Sequence, residues 1–296
     1  MKVKPMLAVD ADIEKLEYPI LCSDKLDGIR CIILDGVAYS RSLKPIRNKY
    51  VQELFGREVF NGFDGELVVG GVFDKDVFQK TTSGVMSEKG TPDVTFYVFD
   101  HCLLSEIPYT ERLEHVREVL EQQYSVVPHN TVKCLESTVL NSHEQLQYVL
   151  QDIQEKGGEG VILRSLDSGY KYGRSTLKQG WLLKVKFFLQ DEFEVAGFEE
   201  RMHNENEAIV NELGYTDRSS HKENLTPMNT LGSLVLRYGN TTFKCGTGFN
   251  DKQRKSIWDS RDNYIGKLAS VRYMDVGQKD LPRFPSFQGF RDIDDL

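Results

Sequence analysis

Several protein classes are excluded by what this sequence lacks. Cysteine occurs only five times, as Cys22, Cys31, Cys102, Cys134 and Cys245, at wide spacing and without a C-x-x-C pair. That pattern supports neither a disulfide framework nor a zinc site, so the thiols are expected to be reduced. No stretch approaches the roughly 18–20 apolar residues that span a bilayer, and the first residues carry no apolar segment of signal-peptide length. A cytoplasmic protein with no membrane partner is the expectation. No internal repeat or low-complexity tract is present, and proline occurs only nine times. Basic residues are outnumbered, 37 Lys and Arg against 45 Asp and Glu, for a net charge of −8. Taken as a total, that balance opposes a polyanionic partner, because affinity for nucleic acid comes largely from counterions displaced at Lys and Arg.

Distribution reverses that last inference. Residues 30–49 hold Arg30, Arg41, Lys44, Arg47 and Lys49 against Asp35 alone, and residues 171–186 hold Lys171, Arg174, Lys178, Lys184 and Lys186 with no acid. Two basic patches sit in an acidic chain; the plain alternative is that both are solvated faces. At 296 residues, with 40% hydrophobic and 28% charged composition, the chain can bury a sizeable core and exceeds the usual single domain.

Apolar runs flank Asp35-Gly36, a hairpin signal. Further strands are expected at 65–69, 94–99, 160–163 and 181–186, and helices over 109–124 and 142–156, where Leu113, Val116 and Leu120, then Leu146, Val149, Leu150 and Ile153, recur three and four apart. Strands and helices without strict alternation imply α+β. From about residue 190 the pattern changes to short strands, at 192–198, 233–238, 241–245 and 268–274, with little helix beyond 250–260. A five-stranded oligonucleotide-binding barrel fits that length. A polar insert at 199–230 is expected to carry one helix near 204–213, to be loop elsewhere, and to be mobile without a partner. Domains are therefore expected at 1–188 and 189–296.

Lys25-Leu26-Asp27-Gly28-Ile29-Arg30 sets a lysine just before a tight turn that opens a strand. Such an amine attacks phosphorus only once it has lost its proton, which burial and nearby cations favour. Alone, the Lys-x-Asp-Gly pattern reads better as a surface hairpin with an exposed lysine. It is followed in order by Phe63-Asp64-Gly65-Glu66-Leu67, Phe96-Tyr97-Val98-Phe99-Asp100, Glu159-Gly160-Val161-Ile162-Leu163-Arg164 and Leu183-Lys184-Val185-Lys186. The whole series resembles the covalent nucleotidyltransferase superfamily of ATP-dependent DNA ligases, RNA ligases and mRNA capping enzymes. The resemblance is close over residues 4–187 and looser beyond.

Within that superfamily the chain looks most like the minimal phage or viral DNA ligases. The resemblance implies a nucleotidyltransferase (adenylation) domain of antiparallel sheets and flanking helices, followed by the OB-fold barrel. It also implies an enzyme that uses ATP with Mg²⁺ or Mn²⁺, forms a lysyl-AMP on Lys25, and seals nicks in duplex DNA. Lys184 and Lys186, two apart on one strand, would meet the α-phosphate and help keep Lys25 neutral. Glu159 would hold the metal, Glu66 would lie near the ribose hydroxyls, Arg30 would fix the sugar and the nick phosphate, and Phe99 would stack on adenine. Ser23 stands where relatives place a Glu, Thr or Ser near the purine. Arg41 resembles an arginine that receives the 5′-phosphate, with Lys44, Arg47, Lys171 and Arg174 as further DNA contacts from the two patches. Arg291, and less closely Arg283, resemble the arginine of the terminal ligase motif that orients pyrophosphate, although the chain ends Ile293-Asp294-Asp295-Leu296 where many relatives continue with lysine. A monomer is expected. An NAD-dependent ligase is disfavoured by the short run before Lys25 and by the cysteine spacing. RNA ligase, capping guanylyltransferase and a non-catalytic oligonucleotide-binding protein remain the alternatives.

Overall fold

Strict alternation in Ile29–Leu34 turns Ile29, Cys31 and Ile33 into an apolar core and leaves Arg30 on the opposite face. The chain reverses at Asp35 and Gly36, both at positive φ (50° and 69°), the pair of left-handed residues that a two-residue hairpin turn requires. The structure, a computed structural model, describes residues 3–122, 131–211, 214–219, 224–276 and 281–291. They divide into two compact units, Met1–Lys186 with Val210–Tyr215, and Phe187–Ile209 with Thr216–Leu296. No helix among the described residues is long and apolar enough to cross a membrane.

The first unit holds two five-stranded sheets. One runs in the order Val37–Tyr39, Ile29–Leu34, Phe63–Val69, Val94–His101, Val132–Cys134, antiparallel except for the last pair. Helices Lys49–Phe55, Val77–Met86 and Tyr109–Gln122 cover its apolar face through Val51, Leu54, Phe55, Val85 and Val116, packed against Leu67, Phe96 and Val98. Each such fully buried side chain contributes about 1.5–3 kcal/mol. The first two of these helices were not evident from periodicity because they are short. The Asn48 cap was the available signal: its Oδ1 accepts from Val51 N at 2.9 Å and its Nδ2 donates to Ser87 O at 2.9 Å.

The other sheet runs Val9–Asp10, Leu182–Lys186, Gly160–Arg164, Ile20–Asp24, Thr138–Leu140. Helix His143–Glu155, capped by Ser142, buries Leu146 and Ile153. Ile32 from the first sheet and Leu182 from the second meet in one cluster with Met6, Cys102 and Tyr170, which fixes the polar face of each sheet relative to the other.

The second unit is one antiparallel sheet in the order Thr241–Cys245, Leu225–Tyr238, Leu189–Asn204, Leu268–Val276, Pro282–Arg291. A capping box between Asn250 and Gln253 starts the helix Asp251–Asp259. The two ends of the five-stranded OB-like sheet meet at the bridge Thr247 to Ser286. One expectation needs correction. No α-helix occurs among the described residues of the 199–230 insert. Instead Leu189–Asn204 and Leu225–Tyr238 extend into it as a bulged pair, and Ala208–Val210 pairs with Thr216–Arg218. These outer strands are exposed on both faces, so no apolar alternation marked them in the sequence. Residues 212–213 and 220–223 of the insert lie outside the described residues.

Candidate active site

Lys25 directly follows the strand Ile20–Asp24. Its backbone N–H donates to Gly160 O at 3.0 Å, and Gly160 pairs with Lys186 on the next strand. Lys25, Gly160 and Lys186 therefore form one rung across the sheet, and Ser23, Ile162 and Lys184 form another two residues along, on the same face. Glycine is required at the centre of the first rung: Gly160 has φ +144° and a Cβ there would fall 2.0 Å from the Val185 carbonyl oxygen. Lys184 and Lys186 alternate with buried Leu183 and Val185 and share the polar face.

Glu159 precedes that glycine and gathers the rung's charges. One carboxylate oxygen accepts from Lys25 Nζ and the other from Lys186 Nζ at 2.8 Å. Burial alone would raise the Glu159 pKa, but the two ammonium groups outweigh it and hold the carboxyl below its ordinary value. Burial also lowers the pKa of Lys184; the fields of Lys186 and Lys25 act in the same direction, and Asp10, 3.5 Å away, opposes them.

The polar face of the other sheet supplies Arg30, which is in register with Glu66. Asp64 grips its guanidinium with both oxygens, Nε to Oδ1 at 2.5 Å and Nη2 to Oδ2 at 2.6 Å. The same guanidinium lies 4.5 Å from the centroid of the Phe99 ring. Phe99 occupies a β-bulge: Asp64 pairs with Asp100 but Gly65 with Val98, so Phe99 is the extra residue and Asp100 stays on the polar face. Burial is the main cause that raises the Glu66 pKa to about 7; Arg30 and Lys25 pull it down, while Glu159 and Asp64 add to the rise. A row of cations, two carboxylates and an aromatic ring thus face one pocket, a set suited to a polyphosphate carrying a base.

The sequence signature of the ATP-dependent DNA ligase domain matches residues 1–186, and that of the DNA ligase OB-like domain matches residues 227–291. The chain belongs to the ATP-dependent DNA ligases. Chlorella virus DNA ligase-adenylate is similar over 97% of this chain and 99% of its own, at 32% identity and a TM-score of 0.56. A Lig E DNA ligase shares the fold over 98% of this chain and 100% of its own, at 24% identity and a TM-score of 0.73. No curated protein sequence matches the chain. Sealing nicked DNA with ATP is therefore the reaction this ligase performs.

Of the residues expected in the site of this ligase, Lys25, Glu159, Lys184, Lys186, Glu66, Arg30 and Phe99 are brought together, with Ser23 on the rung beside Lys184. The other patch residues expected to meet DNA lie outside that cluster. Arg41 stands 5.8 Å from the Tyr215 ring, Lys44 donates to the Val210 carbonyl, and Arg47 is exposed. Lys171 donates to Gln179 Oε1 at 2.7 Å, and exposed Arg174 donates to Ala8 O at 2.8 Å. In the second unit, exposed Arg291 pairs with Glu192 at 2.7 Å, and Arg283 lies over the Phe284 ring; the motif from Asp292 onward lies outside the described residues.

Asp100 and Arg164 end two of the quoted motifs, but nothing in the sequence joins them to Arg112 in a layer of buried charge. Asp100 is fully buried and accepts from Arg112, Nε at 2.6 Å and Nη2 at 3.2 Å, and from Arg164 Nη1. Burial would raise the Asp100 pKa, yet the two guanidiniums keep it below the ordinary carboxylate value. Arg112 also donates to Ser168 O at 2.7 Å, and Arg164 stacks 4.2 Å from the Tyr109 ring centroid. Asp100 follows Phe99 and Arg164 ends the strand that begins after Glu159, so this layer ties the base-facing and phosphate-facing elements together.

Proposed function

We propose that Lys25 is the nucleophile of this ligase and takes AMP from ATP. Its Nζ bonds to the α-phosphorus, the bond to pyrophosphate breaks, and the lysine proton leaves as the phosphoramidate forms. AMP then passes to the 5′-phosphate of a nick, the P–N bond breaking as Lys25 regains a proton. Attack by the 3′-hydroxyl on that adenylated phosphate closes the strand and releases AMP. Lys184 and Lys186 face the phosphate that acquires charge, and preorganised cations in a partly buried pocket are effective there. Phe99 offers the purine a stacking surface, with Ser23 at its edge and Glu66 and Arg30 beside the sugar. The observation that carries this reading is the Glu159 carboxylate shared by the ammonium groups of Lys25 and Lys186.

A divalent metal fits the donor set. Among the described residues no group of three or more His, Cys, Asp or Glu forms a closed cage, and Mg²⁺ bound to nucleotides takes one or two carboxylates and relies on substrate phosphates and water for the rest. Glu159 is the carboxylate that would hold it, and the ion would supply charge neutralisation at the phosphates.

The proposed partner is nicked duplex DNA, contacted by Arg41, Lys44, Arg47, Lys171 and Arg174 through its backbone. Binding is expected to weaken with salt and to ignore base sequence. Arg291 is proposed to orient pyrophosphate during the first step. The proposed setting is a cytoplasmic monomer, which the free thiols suit.

The decisive experiment incubates the protein, and a Lys25→Ala variant, with α-labelled ATP, GTP or NAD⁺ and Mg²⁺, and follows label on the denatured chain. Label from ATP only, absent in the variant and discharged by nicked duplex DNA with strand joining, is expected. Label from GTP would favour a capping enzyme, discharge on RNA alone an RNA ligase, and label that survives Lys25→Ala would remove Lys25 from the mechanism.

A further inference from the structure

Arg30 is held by more than its ion pair. Its Nη2 donates to Asp64 Oδ2 at 2.6 Å and to the Met6 carbonyl at 3.2 Å. The Tyr170 hydroxyl donates to that same Asp64 oxygen at 2.6 Å and accepts the Met6 N–H at 2.9 Å. Arg30, Asp64, Tyr170 and Met6 therefore close a ring of hydrogen bonds in which the phenol uses both its donor and an acceptor site. Asp64 and Met6 are fully buried and Tyr170 nearly so. We propose that Tyr170 is a positioning residue for Arg30, an inference that rests on the role given to Arg30 above.

The physical case begins with freedom. An arginine side chain carries about 2 kcal/mol of rotamer entropy, and Arg30 serves the reaction only while its fork is aimed into the pocket. Asp64 alone grips the fork, but a carboxylate can turn about its own Cβ–Cγ bond and take the guanidinium with it. The Tyr170 hydroxyl fixes the plane of that carboxylate, and the Met6 N–H fixes the hydroxyl. Burial first, and the Asp64 charge next, raise the Tyr170 pKa well above its ordinary value, so the phenol remains a donor. Tyr170 also packs with Ile32, Cys102 and Leu182, so its ring is anchored independently of the hydroxyl. The hydroxyl is thus the part available for positioning, and Tyr170→Phe removes it without opening a cavity.

The test is single-turnover closure of a nick already carrying a 5′-adenylate, with enzyme in saturating excess, for the parent, Tyr170→Phe, Arg30→Ala and the double variant. This step needs no prior adenylation of the enzyme, and excess enzyme removes dependence on the folded fraction. Tyr170→Phe is expected to slow closure by up to about 10²-fold, the scale of a 1 Å misplacement of a positioned group, and to add nothing to the loss caused by Arg30→Ala. Equal rates for Tyr170→Phe and the parent, or a Tyr170→Phe loss that recurs in full in the Arg30→Ala background, would overturn the positioning role while leaving that of Arg30 intact. An Arg30→Ala variant that closes nicks at the parent rate would overturn the reading of Arg30 and this inference with it.

Discussion

Lys25 Nζ donates to the carboxylate of Glu159, 134 positions further along the chain. The other oxygen of that carboxylate holds Lys186 at 2.8 Å, so one acid sets the spacing of two of the three pocket lysines. Glu159→Gln keeps the shape and removes the charge that gathers them. Enzyme–AMP formation is expected to fall about 10²–10³-fold, the scale seen when one preorganised electrostatic group is removed, as read by label retained from α-labelled ATP. Retention at the parent rate would mean that Glu159 is only a counter-ion.

The Glu66 carboxyl gives a pH test without substrate or metal. Its folded pKa of about 7 lies above the ordinary 4.5, so the folded chain binds this proton more tightly than the unfolded chain does. The resulting stability is fully present below the unfolded pKa and is lost as pH rises through the folded one. Between those limits the loss is at most about 3 kcal/mol. Urea unfolding of the parent should weaken from pH 5 toward about pH 8 by more than that of Glu66→Gln. Parallel pH profiles for the two proteins would contradict the assignment.

Asp100 neutralises two buried arginines, so Asp100→Asn should leave Arg112 and Arg164 without a counter-charge and destabilise the chain by about 3–5 kcal/mol. Denaturant midpoints would show it. Half-buried Asp12, paired with exposed Lys15 at the surface, provides the control: Asp12→Asn should change stability by less than about 1 kcal/mol. Similar small effects at both positions would show that the buried layer carries no structural charge balance.

The residues proposed to carry chemistry stood out because ligase motifs are local. Lys25 with its Asp-Gly turn, Glu159 with its glycine, and Lys184 with Lys186 each lie within or next to a single strand, and the structure brings Lys25 and Lys186 to the Glu159 carboxylate. Phe99 was legible as a type but not as a direction, since the bulge that leaves Asp100 on the polar face depends on how Phe63–Val69 pairs with Val94–His101. The insert misled because its outer strands pair with each other, and three-residue strands exposed on both faces have no period to read. The helix Val77–Met86 was missed for a related reason: ten residues with a glycine and several β-branched positions give weak local preference, and packing against Phe63–Val69 supplies what propensity does not.

By itself the sequence determined the order of the motifs and the identity of the charged groups, because those follow from the order of residues and from alternation within single strands. Only the tertiary structure decided which charges meet. Asp64 takes Arg30, Asp100 takes Arg112 and Arg164, and Tyr170 closes the ring with Met6. These partners are as much as 164 positions apart. Burial then makes each pairing obligatory: a charge or hydroxyl removed from water must find its partner within hydrogen-bond reach, and which partner lies there is set by the register of two sheets packed through Ile32 and Leu182 rather than by any local run of residues.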